Sequence, residues 1–304
     1  MDVDAILDRR RLKRRLTIWR LVAVLAVVGL IGVVALRTFK PGTDHVARLS
    51  IEGFIAEDPE REQAIDALAD DDHVKAVVVR INSPGGTTTG SEEIYQSLRR
   101  IGERKPVVAV IGTLGASGGY IVALAAERVF ARETSLTGSI GVLFQTAEFS
   151  ELLNKLGVAT ESLKSSPLKG QPTPLEPMAP EVREAMQELL EDSFVWFRDL
   201  VRERRSLEGD SLNRAADGRV FTGRQAIEMK LIDELGGERE ARAWLGSEHD
   251  IDVSLPTKEV GWGREEGFPL ISAVALARKI LTNERLTLDG LVSVWHPQIG
   301  GQPF

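Results

Sequence analysis

The chain has 304 residues, of which 43% are hydrophobic and 27% charged, a composition typical of globular proteins rather than of disordered or fibrous ones. It contains no cysteine, which excludes disulfides, thiolate nucleophiles and cysteine-ligated metal sites, and its four histidines form no metal-binding motif. Residues 1–20 carry a net charge of +4 and the rest of the chain −11, so a general affinity for nucleic acid is not expected.

An apolar stretch follows the basic segment at residues 1–20. Residues 21–36 contain no charged side chain, and a helix that begins at Leu16 would be about 31 Å long, enough to cross the roughly 30 Å core of a bilayer. We therefore predict one transmembrane anchor over residues 16–37, with the basic segment in the cytoplasm. A cleaved signal peptide and a soluble helix are the alternatives. No small-residue cleavage site follows the stretch, and the basic flank disfavours a soluble helix.

Strand and helix patterns alternate after a polar linker at residues 38–45. Apolar and β-branched runs predict strands at residues 45–51, 74–81, 106–111 and 128–132, and a further strand is expected at 159–164. Amphipathic or apolar patterns predict helices at residues 60–69, 91–100, 117–126, 149–156 and 181–205. This alternation predicts an α/β domain with mostly parallel strands over residues 46–245. A C-terminal extension at 246–304 is expected to hold an amphipathic helix at 268–281 and an irregular tail.

Two glycine-rich loops are expected at the carboxyl ends of predicted strands, where open α/β sheets bind ligands. The first is NSPGG at residues 82–86, and the second is GASGGY at residues 115–120. Ser117 would lie on a strand-to-helix turn among small residues, where a carbonyl group could approach it and helix N–H groups favour negative charge. A purely structural turn, with Ser117 as the helix N-cap, fits the same pattern.

A nucleophilic Ser117 would need a general base. No histidine lies between residues 73 and 249, which leaves lysine as the alternative base. Burial would have to lower the pKa of such a lysine from about 10.4 to about 7–8. The nearby candidates are Lys155, which fits a solvated helix surface, and Lys164 and Lys169, which flank a short loop.

Four motifs in register resemble the signal peptide peptidase A family, bacterial membrane-bound serine proteases with a Ser/Lys dyad. The motifs are NSPGG (82–86), GASGGY (115–120), LTGSIGV (136–142) and ADGRVFTGRQAIEMKLIDELGG (216–237). The resemblance covers about residues 45–240. It implies a core like that of the Clp protease proteolytic subunit and the crotonases, a spiral of ββα units with mostly parallel sheets.

The resemblance implies a nucleophile and a base. Ser117 matches the family's nucleophile. Lys169 matches its general base, and Lys164 matches an earlier lysine of the same motif. Ser166 and Gly170 stand where the family pattern has a glycine and an aspartate.

The resemblance also implies how the substrate is held. Gly86 and Gly118 match the residues whose N–H groups form the oxyanion hole. The further substrate-binding positions are expected to be Gly85, Gly119 and Ser139. No metal or cofactor is implied.

For the whole protein, the resemblance implies an inner-membrane endopeptidase with its catalytic domain on the periplasmic side. It would degrade remnant signal peptides and other short apolar peptides through an acyl-enzyme. The short form of the family implies a ring- or dome-shaped homo-oligomer, such as an octamer, next to the lipid bilayer. Two rival interpretations stay open: a catalytically inactive membrane scaffold, and a crotonase-like enzyme that acts on acyl-CoA.

Overall fold

The computed structural model describes residues 19–22, 25, 43–262 and 292–294. The chain divides into two compact units, residues 1–43 and 44–304. In the first unit, residues 19–22 and 25 are helical and exposed, while the rest of the anchor predicted over residues 16–37 lies outside the described residues. Within the described ranges, no helix combines the length and the apolarity needed to cross a bilayer. The helix predicted at 268–281 also lies outside them.

One sheet organises the second unit. Its strands are β1 (His45–Ile55), β2 (Val74–Thr87), β3 (Val107–Ala116), β4 (Arg128–Ala131), β5 (Leu136–Gly138), β6 (Val220–Thr222), β7 (Glu234–Leu235), β8 (Thr257–Glu259) and β9 (Val292–Val294). The strand order is β6-β5-β3-β2-β1-β8, with β4 beside β3 and β7, and β9 beside β2. The pairings β2–β9 and β5–β6 are antiparallel and the others in the described part are parallel.

Helices cover both faces of this sheet. They are α1 (Pro59–Asp70), α2 (Thr88–Gly102), α3 (Gly118–Ala123), α4 (Ser150–Lys155), α5 (Pro180–Arg205), α6 (Gly209–Ala215), α7 (Gly223–Glu228) and α8 (Glu238–His249). Because side chains alternate along a strand, Val77 and Val79 of β2 join the larger core on one face with residues of α1, α2 and α3. Val78 faces the other way, where Leu245 of α8 covers the sheet.

The α/β architecture with mostly parallel strands is confirmed, and most predicted elements are present. Four local predictions were wrong. The loop expected at residues 82–86 and the first two residues of the loop expected at 115–120 instead continue strands β2 and β3, because neighbouring strands still pair with them. The helix expected from Ser117 to Ala126 spans only Gly118–Ala123. The strand expected at 159–164 is irregular, because these residues are mostly exposed and pair with no described strand.

Candidate active site

Ser117 lies at the junction of β3 and α3, in an unusual backbone conformation. Its φ is 55° and its ψ −119°, a combination that costs a non-glycine residue about 1–3 kcal/mol and is concentrated at functional sites. Its N–H donates a hydrogen bond to the carbonyl of Gly138 at 2.8 Å, and the residue is 1% exposed. Ser117 occupies the N-cap position of α3, but its side chain makes no cap hydrogen bond with the described helix. The structural N-cap interpretation therefore does not explain this conformation.

The backbones of Gly118 and Gly86 approach each other closely. A Cβ atom built on Gly118 would lie 3.1 Å from the amide nitrogen of Gly86 and 3.3 Å from Cα of Gly85. A Cβ atom on Gly86 would in turn overlap the carbonyl oxygen of Ile55 in β1. A side chain at Gly86 would therefore collide with β1, and one at Gly118 would crowd the Gly85–Gly86 backbone, so the Gly86 amide lies close to the start of α3, directly after Ser117.

The remaining predicted substrate-binding residues surround this junction. Gly85 has a φ of +105°, in the region that favours glycine. A Cβ atom on Gly119 would come within 2.9 Å of the Ser83 carbonyl oxygen. Ser139 follows Gly138, the residue that accepts the Ser117 N–H, and has a φ of 50°. The structure thus brings Ser117, Gly85, Gly86, Gly118, Gly119 and Ser139 to one end of the sheet.

The third and fourth motifs pair with each other at this end. Strand β5 runs antiparallel to β6, with Gly138 opposite Val220, and the Ser139 N–H donates to the Arg219 carbonyl at 2.8 Å. Arg219 also forms an ion pair with Asp217 that lowers the pKa of this carboxyl group. A cavity of about 410 Å³ lies beside the third motif, lined in part by Ile140, Val142, Leu190 and Phe194. Within the described residues, no cluster of acidic or histidine side chains could hold a metal ion.

A short piece of the C-terminal tail lies along the first glycine motif. Strand β9 pairs antiparallel with β2, placing Val294 opposite Gly85, Ser293 opposite Gly86 and Val292 opposite Thr87. The tail was expected to be irregular, and this prediction was wrong for the three described residues. A two-residue β-branched pattern is too short to signal a strand in a sequence. The pairing shows that the backbone of residues 85–87 can bind an extended chain.

Lys164 and Lys169 lie in different environments. Lys164 forms an ion pair with Glu176, and the hydrogen bonds from Lys164 and Gln171 lower the pKa of the Glu176 carboxyl group. Lys169 is exposed in a turn, where its backbone N–H donates to the Ser166 carbonyl at 3.1 Å. Within the described part of the chain, no hydrogen bond or ion pair holds the Lys169 ammonium group. In the single chain, the Lys169 amine therefore makes no hydrogen bond with Ser117.

Both lysines belong to a long exposed segment, residues 142–179. None of its residues, all of which are described, is buried. Its internal contacts include the Phe149 N–H donating to the Pro174 carbonyl at 2.8 Å. Its exposed large apolar side chains are Leu143, Phe149, Leu152, Leu156, Val158, Leu163, Leu168 and Leu175. Exposed apolar side chains concentrated on one segment of chain are typical of an interaction site.

Two further contacts, which the sequence did not predict, lie at or near Tyr120 of the α3 helix. The Tyr120 hydroxyl donates to the Leu231 carbonyl at 2.6 Å, and burial raises the pKa of this phenol, so it remains a neutral donor. Arg205 of α5 donates to both carboxylate oxygens of Asp233 at 2.9 Å. Tyr120 and Asp233 both lie within the quoted motifs, but sequence spacing does not reveal which carbonyl or cation each side chain meets.

Comparison with protein families identifies this architecture. Peptidase family S49 matches residues 99–252, just over half of the chain. The chain belongs to peptidase family S49. The Clp protease family also matches, over residues 60–137, which agrees with the mostly parallel α/β sheet.

Curated relatives of this S49 peptidase are similar over most of the folded unit. A protein of Synechocystis, named for an inferred protease activity, is 37% identical over 227 residues, which are 73% of this chain and 82% of the relative. A protein of Enterococcus faecium, named for an inferred signal peptide peptidase SppA, is 32% identical, covering 68% of this chain and 64% of the relative. The chloroplastic serine protease SPPA of Arabidopsis thaliana is 34% identical, covering 59% of this chain and 27% of the relative. The chain is thus an SppA-type protease that spans less than two thirds of several of its relatives.

Proposed function

We propose that the protein is a membrane-anchored serine endopeptidase that degrades remnant signal peptides and other short apolar membrane peptides. The observation that carries this proposal is the strained, buried turn of Ser117 beside the adjoining backbones of Gly86 and Gly118. Backbone strain of this kind persists only where the surrounding structure holds it, and it is common at nucleophiles and ligand clamps. The S49 family match supports the serine peptidase chemistry.

In the proposed mechanism, Ser117 Oγ attacks the carbonyl carbon of the scissile peptide bond while Lys169 Nζ takes the hydroxyl proton. The N–H groups of Gly86 and Gly118 stabilise the oxyanion, at about 3 kcal/mol for each donor. The Gly118 N–H is suited to this role, because the first residues of a helix have no acceptor within it. Collapse of the intermediate passes the lysine's proton to the leaving amine, and water then hydrolyses the acyl-enzyme.

Two observations favour Lys169 over Lys164 as the base. The Glu176 carboxylate pairs with Lys164, so this amine is already engaged by a carboxylate, whereas a general base must direct its amine at the hydroxyl whose proton it accepts. Lys169 has no such partner among the described residues.

A lysine base must also be shielded from water, and Lys169 is exposed in the single chain. The proposal therefore requires that assembly buries it.

A homo-oligomer would supply this burial. The exposed leucines of residues 142–179 lie on the same segment as Lys169, so an interface that covers them would also exclude water from the amine. A ring or dome, such as an octamer, is the assembly we propose. Its interior would be apolar and next to the bilayer, with the predicted anchor over residues 16–37 holding the catalytic domain on the periplasmic side of the inner membrane.

Substrates would bind as extended strands. The pairing of β9 with residues 85–87 supports this mode, because it shows that the Gly85–Gly86 backbone accepts an antiparallel partner. Gly119 and Ser139 would line the adjoining surface, and the cavity beside Ile140 and Phe194 could accept an apolar side chain. These features suit unfolded apolar peptides.

Fluorophosphonate labelling of the full-length, detergent-extracted protein tests the proposal. We expect an adduct on Ser117, no adduct in Ser117→Ala, and labelling of Lys169→Ala slowed by about 100-fold or more, in line with the loss of a general base. Lys164→Ala is the matched control and should label at close to the wild-type rate. An unlabelled wild-type assembly would favour the scaffold interpretation. Slow labelling of Lys164→Ala with normal labelling of Lys169→Ala would reassign the base.

A further inference from the structure

We infer that Ser83 is a positioning residue, whose hydroxyl holds the Gly85–Gly86 backbone in the orientation that presents the Gly86 N–H to the oxyanion. The inference rests on the proposed function, because it concerns the same oxyanion hole. Ser83 lies in the first glycine motif but has no part in the dyad. Its side chain is fully buried, at 0% exposure, so it cannot bind substrate through a solvent-facing hydroxyl.

Ser83 connects two irregular stretches of backbone. Its hydroxyl donates to the Gly53 carbonyl at 2.6 Å and accepts the N–H of Gly85 at 3.0 Å. Gly53 and Gly85 have φ values of +70° and +105°. One side chain therefore joins a kink near the end of β1 to a kink near the end of β2.

The ladder between β1 and β2 is interrupted at this point. Its register passes from Glu52 opposite Asn82 directly to Phe54 opposite Gly85, so the intervening residues are skipped. Pro84, one of them, has no N–H to contribute. The Ser83 hydroxyl takes over the role of the missing backbone hydrogen bonds, because it satisfies one carbonyl of β1 and one N–H of β2.

Ser83 also lies close to α3, the helix that begins directly after Ser117. The Ser83 carbonyl oxygen lies 2.9 Å from where a Cβ atom of Gly119 would be. Movement of Ser83 would therefore alter the spacing between the Gly85–Gly86 backbone and the start of α3. Displacement of a reacting group by about 1 Å can lower a rate about 100-fold, so loss of this hydroxyl should slow catalysis more than it weakens substrate binding.

Ser97 provides a matched control. It is also a fully buried serine, and its hydroxyl accepts a hydrogen bond from Arg100 Nη2 at 2.8 Å within α2. Ser97→Ala removes a buried hydroxyl and one hydrogen bond without touching the glycine backbone. If Ser83 had only a structural role, the two alanine variants would lose activity in proportion to their loss of stability.

The experiment compares Ser83→Ala and Ser97→Ala in the full-length protein, with a fluorogenic apolar peptide as substrate. We expect Ser83→Ala to lower kcat about 10- to 100-fold with less than about a twofold change in KM. Complete removal of one hydrogen-bond donor from an oxyanion hole lowers kcat about 10²–10³-fold, and a displaced donor should cost less. The fluorophosphonate labelling rate should fall by a similar factor. Ser97→Ala should keep kcat within about twofold of the wild-type value, even if its Tm falls as far as that of Ser83→Ala.

Three outcomes decide the inference. A wild-type kcat in Ser83→Ala, or a change confined to KM, would overturn it. If Ser83→Ala does not fold, Ser83→Cys is measured instead, since it keeps a similar volume and replaces the hydroxyl with a weak donor; a wild-type kcat in that variant would overturn the inference equally. Failure of the proposed function has a different signature, because wild type and Ser117→Ala would then be equally inactive and unlabelled.

Discussion

Replacement of Gly118 by alanine tests the close approach of the two glycine motifs. The new Cβ atom would overlap Ser91 Oγ and lie 3.1 Å from the Gly86 nitrogen. Ser91 cannot yield freely, because it is fully buried and donates to the Thr87 carbonyl at 2.9 Å. Overpacking of this kind costs about 1–3 kcal/mol of folding free energy. We therefore expect Gly118→Ala to fold with a lowered Tm.

Gly118→Ala should lower kcat by more than its loss of folding stability can explain. If the new methyl group displaces the Gly86 amide from the oxyanion, kcat should fall about 10²–10³-fold, the loss typical of one donor. The double variant Ser91→Ala/Gly118→Ala removes the overlap with the hydroxyl but keeps the contact with Gly86. It should recover Tm but not kcat, which separates packing from catalysis.

Gly102→Ala is the control for this series. No atom lies within 4 Å of a Cβ at Gly102, which ends α2, so stability should be unchanged or rise by at most about 1 kcal/mol and kcat should not change. The assay is steady-state cleavage of an apolar peptide, with Tm measured on the same preparations. A wild-type kcat in Gly118→Ala would refute the placement of its N–H beside the reacting atoms.

Three further predictions concern the fold and the assembly. Tyr120→Phe should lower the free energy of unfolding by about 1–3 kcal/mol, because it leaves the buried Leu231 carbonyl without its donor; chemical denaturation measures this, and an unchanged stability would contradict it. The Gly237 N–H is the main cause that lowers the pKa of Glu240 from 4.5 to about 2. The hydrogen bond from Gly237 to the Glu240 carboxylate therefore contributes to folding stability above pH 4.5, and this contribution is lost as the pH falls through about 2. The difference in the free energy of unfolding between wild type and Glu240→Gln should thus vanish near pH 2. A difference that persists there would exclude the Glu240 carboxylate as its cause. Leu163→Glu places a charge on a side chain that is 94% exposed in the single chain and should shift the protein to smaller species in mass photometry; an unchanged assembly would show that Leu163 lies outside the interface.

The sequence predicted the parts of the fold that depend on local patterns. The β-branched run at residues 74–81 correctly predicted a central strand, and Pro180 correctly marked the start of α5. The extended backbone of residues 82–87 was not predicted, because Pro and Gly normally interrupt strands, whereas here pairing with β1, β3 and β9 keeps these residues extended. The strand expected at 159–164 was wrong, because these mostly exposed residues pair with no described strand.

The candidate site was predictable as a set of positions but not as a geometry. The motifs identified Ser117, Gly86 and Gly118, and the structure brings them together. The positive φ of Ser117 and the hydrogen bonds of Ser83 could not be read from the sequence, because the first accompanies a contact between the β3–α3 junction and Gly138 of β5 and the second depends on the register of β1 against β2. The exposure of Lys169 was also not predictable, because burial depends on contacts that a sequence pattern does not specify.

The most direct test of the account is the position of the Lys169 amine in the assembled protein. A structure of the full-length oligomer, with a peptide aldehyde bound to Ser117, gives the distance from Ser117 Oγ to the Lys169 Nζ that reaches it. We predict a distance of about 2.6–3.2 Å, the range of a general base and its proton donor. An oligomer in which every Lys169 amine is solvated and beyond the reach of any Ser117 would contradict the Ser/Lys mechanism.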